Sequence, residues 1–235
     1  MALPTFVALG VHAGSLAAIT PALPAGIQTD DILILAVSTN IGEAAGIDTA
    51  NGGTYTEVGH AEGAVNAKRT TVFWSRYNGT QTAPVTTDSG NHQQGVFIAV
   101  RGCIASGDPV DVSSSGFEDT ADTTISVPGA TTTGTDRFVV IVVSTSEISA
   151  HSDAIANPAN SDLANLTVRY EAGFAISLGS TMAILTGEKA TAGAYGNTTM
   201  DTATGAEFKS YMTLALKPAA EAAAPDETML LLGVS

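Results

Sequence analysis

Two stretches of the chain are apolar at every position, 32–37 (ILILAV) and 138–143 (FVVIVV), and each runs into Ser-Thr. An unbroken apolar run of strand length, without alternation, suits a central strand covered on both faces. RTTVFWSRY (69–77) instead alternates Val72 and Trp74 against Thr71, Phe73 and Ser75, as a strand with two different faces does. Runs of this kind recur between turn residues along the chain. They predict strands at about 5–11, 16–20, 31–39, 54–60, 69–77, 94–101, 123–127, 137–145, 165–171, 180–188 and 209–217. Asn51-Gly52 and Asn78-Gly79 supply the positive φ that tight reversals need. Pro21, Pro24, Pro84, Pro109, Pro128 and Pro158 fall between apolar runs, where a missing N–H does not interrupt a ladder. The one helical candidate is short, at 160–165 (NSDLAN). The pattern is that of an all-β protein.

The apolar runs also repeat. TDDILILAVST and TDRFVVIVVST align with Thr29 on Thr135, Asp30 on Asp136, Val37 on Val143, Ser38 on Ser144 and Thr39 on Thr145. The match extends without a gap over 19–40 and 125–146. Further on, VFIAVRG (96–102) falls on MTLALKP (212–218), with Ala99 on Ala215 and Arg101 on Lys217. A sheet needs a partner for its apolar face. Two half-repeats, about 16–102 and 122–218, are therefore expected to pack face to face as one two-sheet β-sandwich spanning 1–218. Convergent β-patterning in a Thr- and Val-rich chain is the alternative source of the match.

Residues 219–235 break the pattern. PAAEAAAPDET reads as an Ala/Pro linker, followed by the apolar peptide MLLLGV. Met229, Leu230, Leu231, Leu232 and Val234 are expected to dock on a partner, because the sandwich is already closed by the strand ending at Lys217.

Composition narrows the function. Among 235 residues, 44% are hydrophobic, enough for a sizeable core, and the formal net charge is −14 with nine scattered Lys and Arg. Nucleic acid needs clustered cations to replace its counterions, so direct binding to it is not expected. No stretch reaches the ~18 apolar residues of a membrane span, and MALPTFVALG lacks the basic start of a secretory signal. Synthesis in a cytoplasm and no membrane partner are the expectation. The single Cys103 rules out an intrachain disulfide and reads as a buried, inert thiol.

Chemistry is hard to find. His12, His60, His92 and His151 have no metal-ligand spacing, and no nucleophile elbow, phosphate loop or dinucleotide fingerprint occurs. No catalytic residue, metal site or cofactor is expected. GDPVDVSSSGFEDTADTT gathers Asp108, Asp111, Glu118, Asp119 and Asp122. It matches no calcium-loop pattern and reads as a flexible, solvated crossover between the halves. Trp74 and Tyr77, with Phe73, form the single aromatic cluster in a chain only 6% aromatic. Core packing accounts for them, and a glycan-stacking platform is the functional alternative.

PALPAGIQTDDILILAVST, GGTYTEVG, RTTVFWSRYNGTQTAPV, GVFIAVRG and MTLALKPA together resemble a group of tailed-bacteriophage virion proteins over about residues 16–218. The pattern departs from that group at Asp31, where Gly-Asp usually precedes the strand, and at Tyr55, where Trp is commoner. The resemblance implies a jelly-roll-like β-sandwich carried on the particle as a capsid decoration or a tail appendage. The chain lacks the coiled coil, repeat arrays and β-helix of a fibre, so a capsid decoration is the preferred expectation, with a homo-oligomer as its form. It implies contacts with other virion proteins and no enzymatic activity. The alternative is a glycan- or receptor-binding module of the adhesion apparatus.

Overall fold

The structure, a computed structural model, describes residues 2–63, 68–88, 90, 92–146, 155–175, 179–203 and 205–220. The first half of the chain supplies β1 (Thr5–Leu9), β2 (Ala13–Ser15), β3 (Ile32–Asn40), β4 (Ile47–Thr49), β5 (Thr56–Glu62), β6 (Lys68–Arg76), β7 (Val85–Thr86) and β8 (Gln93–Arg101). The second half supplies β9 (Val110–Asp122), β10 (Thr124–Val127), β11 (Ala130–Thr132), β12 (Arg137–Thr145), β13 (Ile155–Ala159), β14 (Ala164–Phe174), β15 (Ser180–Lys189), β16 (Gly193–Tyr195), β17 (Thr198–Thr202) and β18 (Glu207–Leu216). The protein is all-β, and its antiparallel sheets are those of a β-sandwich.

Each main sheet belongs to one half of the chain. The first runs β1-β8-β3-β6-β5, with β2 also on β8, and the second runs β9-β18-β12-β15-β14 when read in the matching direction. Central strand, partners and edges correspond one to one. The register corresponds too: Ile32 faces Val100 across β3 and β8, and Phe138 faces Leu216 across β12 and β18. These are the same positions that align in the sequence. Asp30 and Asp136 both stand at positive φ, 74° and 59°. Asp tolerates this left-handed turn better than most residues, so the repeated Thr-Asp marks the same bend into each central strand. Jelly-roll winding, which shuttles successive strands between sheets, is not confirmed by this order.

The continuous apolar runs have covered faces on both sides. Between the sheets, Ile32, Ile34 and Ala36 share one cluster with Phe138, Val140, Val142, Met182, Ile184 and Leu214. Outside the first sheet, Leu33, Leu35, Val37 and Phe97 pack under Leu23, Ile27, Ile47 and Tyr55. Outside the second, Val139, Ile141 and Val143 pack with Ile125, Val127, Tyr195 and Met200. The last four belong to short strands of the small sheets β10-β17-β13 and β11-β16. Each fully buried aliphatic side chain contributes roughly 1.5–3 kcal/mol relative to exposure.

Four expectations need correction. The acidic stretch is no flexible crossover: 110–122 form β9, a 13-residue strand paired to β18 from Val110 to Asp122. Residues 160–165 contain no helix; Asn160 Oδ1 accepts from Asp162 N at 2.9 Å, and this local bond turns the chain into β14. The strand expected at 16–20 is replaced by β2 upstream, and Ile19 is fixed by Thr86, whose N–H donates to its carbonyl at 3.0 Å. Pro158 lies inside β13, within the register break between Ala156 and Ala159, where no ladder N–H is required of it. Asn51-Gly52 turns as expected, with φ of 48° and 84°.

Candidate functional site

The polar residues that end the apolar runs meet at one end of the sandwich. β3 finishes in Ser-Thr-Asn and β12 in Ser-Thr, while β6, β8, β15 and β18 begin with polar residues there. Ser38 Oγ lies 3.1 Å from Ser180 Oγ across the sheet interface, and Thr70 Oγ1 lies 2.7 Å from Ser210 Oγ. Ser180 is the hub. His92 Nε2 reaches its hydroxyl at 2.9 Å, and Gln94 Nε2 donates to its Oγ at 2.6 Å and its carbonyl at 2.9 Å. Gln94 Oε1 in turn accepts from His12 Nε2 at 3.1 Å. Because an amide oxygen only accepts, His12 carries its proton on Nε2. Phe174 packs near both histidine rings, and Tyr170 stacks on His12 at 6.0 Å. Burial pushes the His12 pKa down, against the hydrogen bond to Gln94.

A serine within hydrogen-bond reach of a histidine is the geometry of an activated nucleophile. Ser180, His92, Gln94 and Ser38 are all fully buried, however, so substrate has no surface on which to meet the hydroxyl. What the arrangement does is satisfy polar groups while locking the two sheets in register. Sequence reasoning missed this network. Its one local signal was the polar Ser38 directly after the first apolar run.

Two lysines are buried at the same end. Lys209 is wholly buried and meets Asp122 at 2.6 Å and Glu118 at 3.3 Å. Lys68 Nζ donates to Asn40 Oδ1 at 2.6 Å, and burial pushes its pKa down to about 8 against the fields of Glu43 and Glu207. Asp111 pairs with Arg137 at 2.8 Å, and both side chains are buried. Burial raises the Asp111 pKa, but bonds from Arg137 and Thr133 outweigh it, leaving the carboxyl below its ordinary value. The acidic residues Asp111, Glu118 and Asp122 thus already hold cations of the chain itself. No three His, Cys, Asp or Glu converge as a metal site among the described residues.

Trp74 and Tyr77 do not form one platform. Trp74 packs against the cluster between the sheets, whereas Tyr77 packs against the cluster on the outer face of the first sheet. Trp74 lines an open groove of about 400 Å³ with Thr54, Arg76, Asn78 and Gly107. The polar groups of this groove are committed locally. Arg76 donates to the carbonyls of Ile104 and Gly107 at 2.6 and 3.2 Å, and Asn78 Nδ2 donates to Gly52 O at 2.7 Å. The described chain leaves nearby: Pro218 bridges to Cys103, and Ala219 N donates to Gly102 O at 2.7 Å. Cys103 is buried, which pushes its thiol pKa up to about 12. Met229, Leu230, Leu231, Leu232 and Val234 lie outside the described residues, as does His151.

A second groove, about 310 Å³, runs between the edge strands β5 and β9, lined by His60, Ala61, Glu62, Ser115, Gly116 and Phe117. Phe117 is 51% exposed there. β9 ends its sheet: it is hydrogen-bonded to β18 on one side, and no strand pairs with it on the other among the described residues, although β5 of the facing sheet lies close to it. Comparison with protein-family models, curated proteins and solved structures gave no match.

Proposed function

We propose that this chain is a non-catalytic structural protein of a tailed-bacteriophage virion, made in the host cytoplasm and decorating the particle surface, on the capsid in preference to the tail. The pattern match over residues 16–218 supplies the virion part of this reading. The observation that carries the structural part is β9, a 13-residue edge strand. Its middle, Ser113 to Gly116, has none of the charges or prolines that usually protect an edge, and the exposed Phe117 follows directly. Such an edge accepts another strand by main-chain hydrogen bonding, with an exposed aromatic to anchor it. A second copy of the chain or a neighbouring virion protein is the partner.

The tail peptide supplies a second contact in this reading. It begins beside Gly102 and Cys103, and burying several Leu-sized side chains on a neighbour contributes roughly 1.5–3 kcal/mol each before ordering costs. The test is the protein composition of purified particles. The full chain is expected at stoichiometric occupancy, and a chain lacking residues 224–235 is expected to fold normally yet be absent. A full chain missing from the particles would overturn the virion reading. Normal occupancy of the truncated chain would leave the attachment to the sandwich alone.

Glycan or receptor binding is the second reading, favoured by Trp74 in its open groove. It ranks lower because Tyr77 faces away and Arg76 and Asn78 are already bonded to neighbouring loops.

A further inference from the structure

Asn40 closes β3 and Lys68 opens β6, and the antiparallel register sets them directly opposite each other. They are 5% and 4% exposed, and Lys68 Nζ sits 2.6 Å from Asn40 Oδ1. The chain turns at once after Asn40, with Glu43 N donating to Asn40 O at 3.2 Å and Gly42 at a φ of 76°. This turn sets the Glu43 backbone against Asn40. The carboxylates of Glu43 and, from the start of β18, Glu207 are the charges that Lys68 feels.

The two buried lysines differ in a way that matters for reactivity. Lys209 is gripped by two carboxylates, those of Glu118 and Asp122. Lys68 Nζ donates to the Asn40 amide oxygen, and burial outweighs the fields of Glu43 and Glu207 to bring its amine to a pKa of about 8, so a fraction is neutral near physiological pH. A desolvated, neutral lysine amine is a competent nucleophile. The carbon it would attack, Asn40 Cγ, lies one bond beyond the oxygen it already touches.

We propose that Lys68 and Asn40 join in an intramolecular isopeptide bond. The Nζ lone pair adds to Asn40 Cγ, and the carbonyl electrons move onto Oδ1. A neighbouring carboxyl group, Glu43 or Glu207, takes the proton released by Nζ and delivers it to the amide nitrogen. The carbonyl re-forms, the Cγ–Nδ2 bond breaks and ammonia leaves. One amide is exchanged for another, so no oxidant, reductant or metal is consumed. Fixed placement of the two groups in a water-poor site replaces the encounter that makes such an exchange slow in solution. The product ties adjacent strand ends across 28 residues of chain, a covalent staple at the polar end of the sandwich. This bond does not depend on where the protein is used.

The intact mass of the purified full chain tests the bond directly. The expected mass falls below that of the sequence by one ammonia, and proteolysis yields a branched peptide joining the segments around Asn40 and Lys68. Lys68→Arg and Asn40→Ala restore the sequence mass and abolish the branched peptide. Glu43→Gln or Glu207→Gln does so at whichever position shuttles the proton. The wild-type measurement needs no variant to fold. A wild-type mass equal to the sequence after long incubation at mildly alkaline pH would overturn the proposal. So would loss of ammonia without the branched peptide, as cyclisation at Asn51-Gly52 would give.

Discussion

Asp30 is exposed and stands at a φ of 74°, so its contribution is to the backbone and not to packing. Asp30→Gly is expected to leave stability nearly unchanged, whereas Asp30→Val forces a β-branched residue into left-handed space at a cost of roughly 1–2 kcal/mol. Chemical denaturation of the two variants separates these outcomes. His12 gives a pH dependence. Its folded pKa lies below the ordinary 6.5, so below that pH the unfolded chain binds the proton more readily than the native one. Stability is therefore expected to fall as pH drops from about 6.5 towards the lowered folded value, and His12→Gln should flatten that part of the profile. Titration of the unfolding midpoint with pH in both proteins measures this. At this scale the sequence was partly legible. The repeated Thr-Asp and the buried Cys103 could be read from it, whereas grouping Trp74 with Tyr77 as one aromatic cluster put together side chains that lie on opposite faces. Three positions apart on an extended strand means opposite faces, a parity that the aromatic cluster obscured.

The long central strands were plain because each is covered on both sides, and double cover demands apolar residues at every position. β9 was hidden by the opposite circumstance. An edge strand with Ser113, Ser114, Ser115 and Gly116 at its centre and Glu118, Asp119 and Asp122 at its end has neither β-propensity nor alternation to display. Its pairing is supplied by β18, and the carboxylates of Glu118 and Asp122 are held by Lys209, a residue 87 positions from Asp122. Local sequence carries no trace of such a partner. The short strands β11, β13, β16 and β17 were missed for the same reason, since they exist as covers for β12 and its neighbours. The element-scale prediction concerns the β9 edge. Ser115→Lys with Phe117→Lys adds two surface cations, which is expected to alter folding stability by no more than about 0.5 kcal/mol. The same change should abolish self-association or particle incorporation. Sedimentation and particle composition, each beside a melting curve, would show it; unchanged assembly would remove β9 from the contact surface.

Across the whole molecule, the two main sheets match in strand order and register, and each serves as the other's cover. The cluster between the sheets draws Ile34, Val96 and Ile98 from the first half and Val140, Ile184 and Leu214 from the second. Ser38 and Ser180, and Thr70 and Ser210, close the same interface at its polar end. The repeat was visible in the sequence, but the cross-sheet hydrogen bonds were not: Ser38 reaches Ser180 and Thr70 reaches Ser210, whereas Ser144, which aligns with Ser38, has no side-chain hydrogen bond among the described residues. The central claim is that neither half is a folding unit alone. Residues 1–110, expressed without the rest, leave the inner apolar face of β3, β6 and β8 open to water. The account predicts collapsed or aggregated material with poorly dispersed amide resonances and no cooperative thermal transition. A monomeric, well-dispersed spectrum with a sharp melt from residues 1–110 would contradict it.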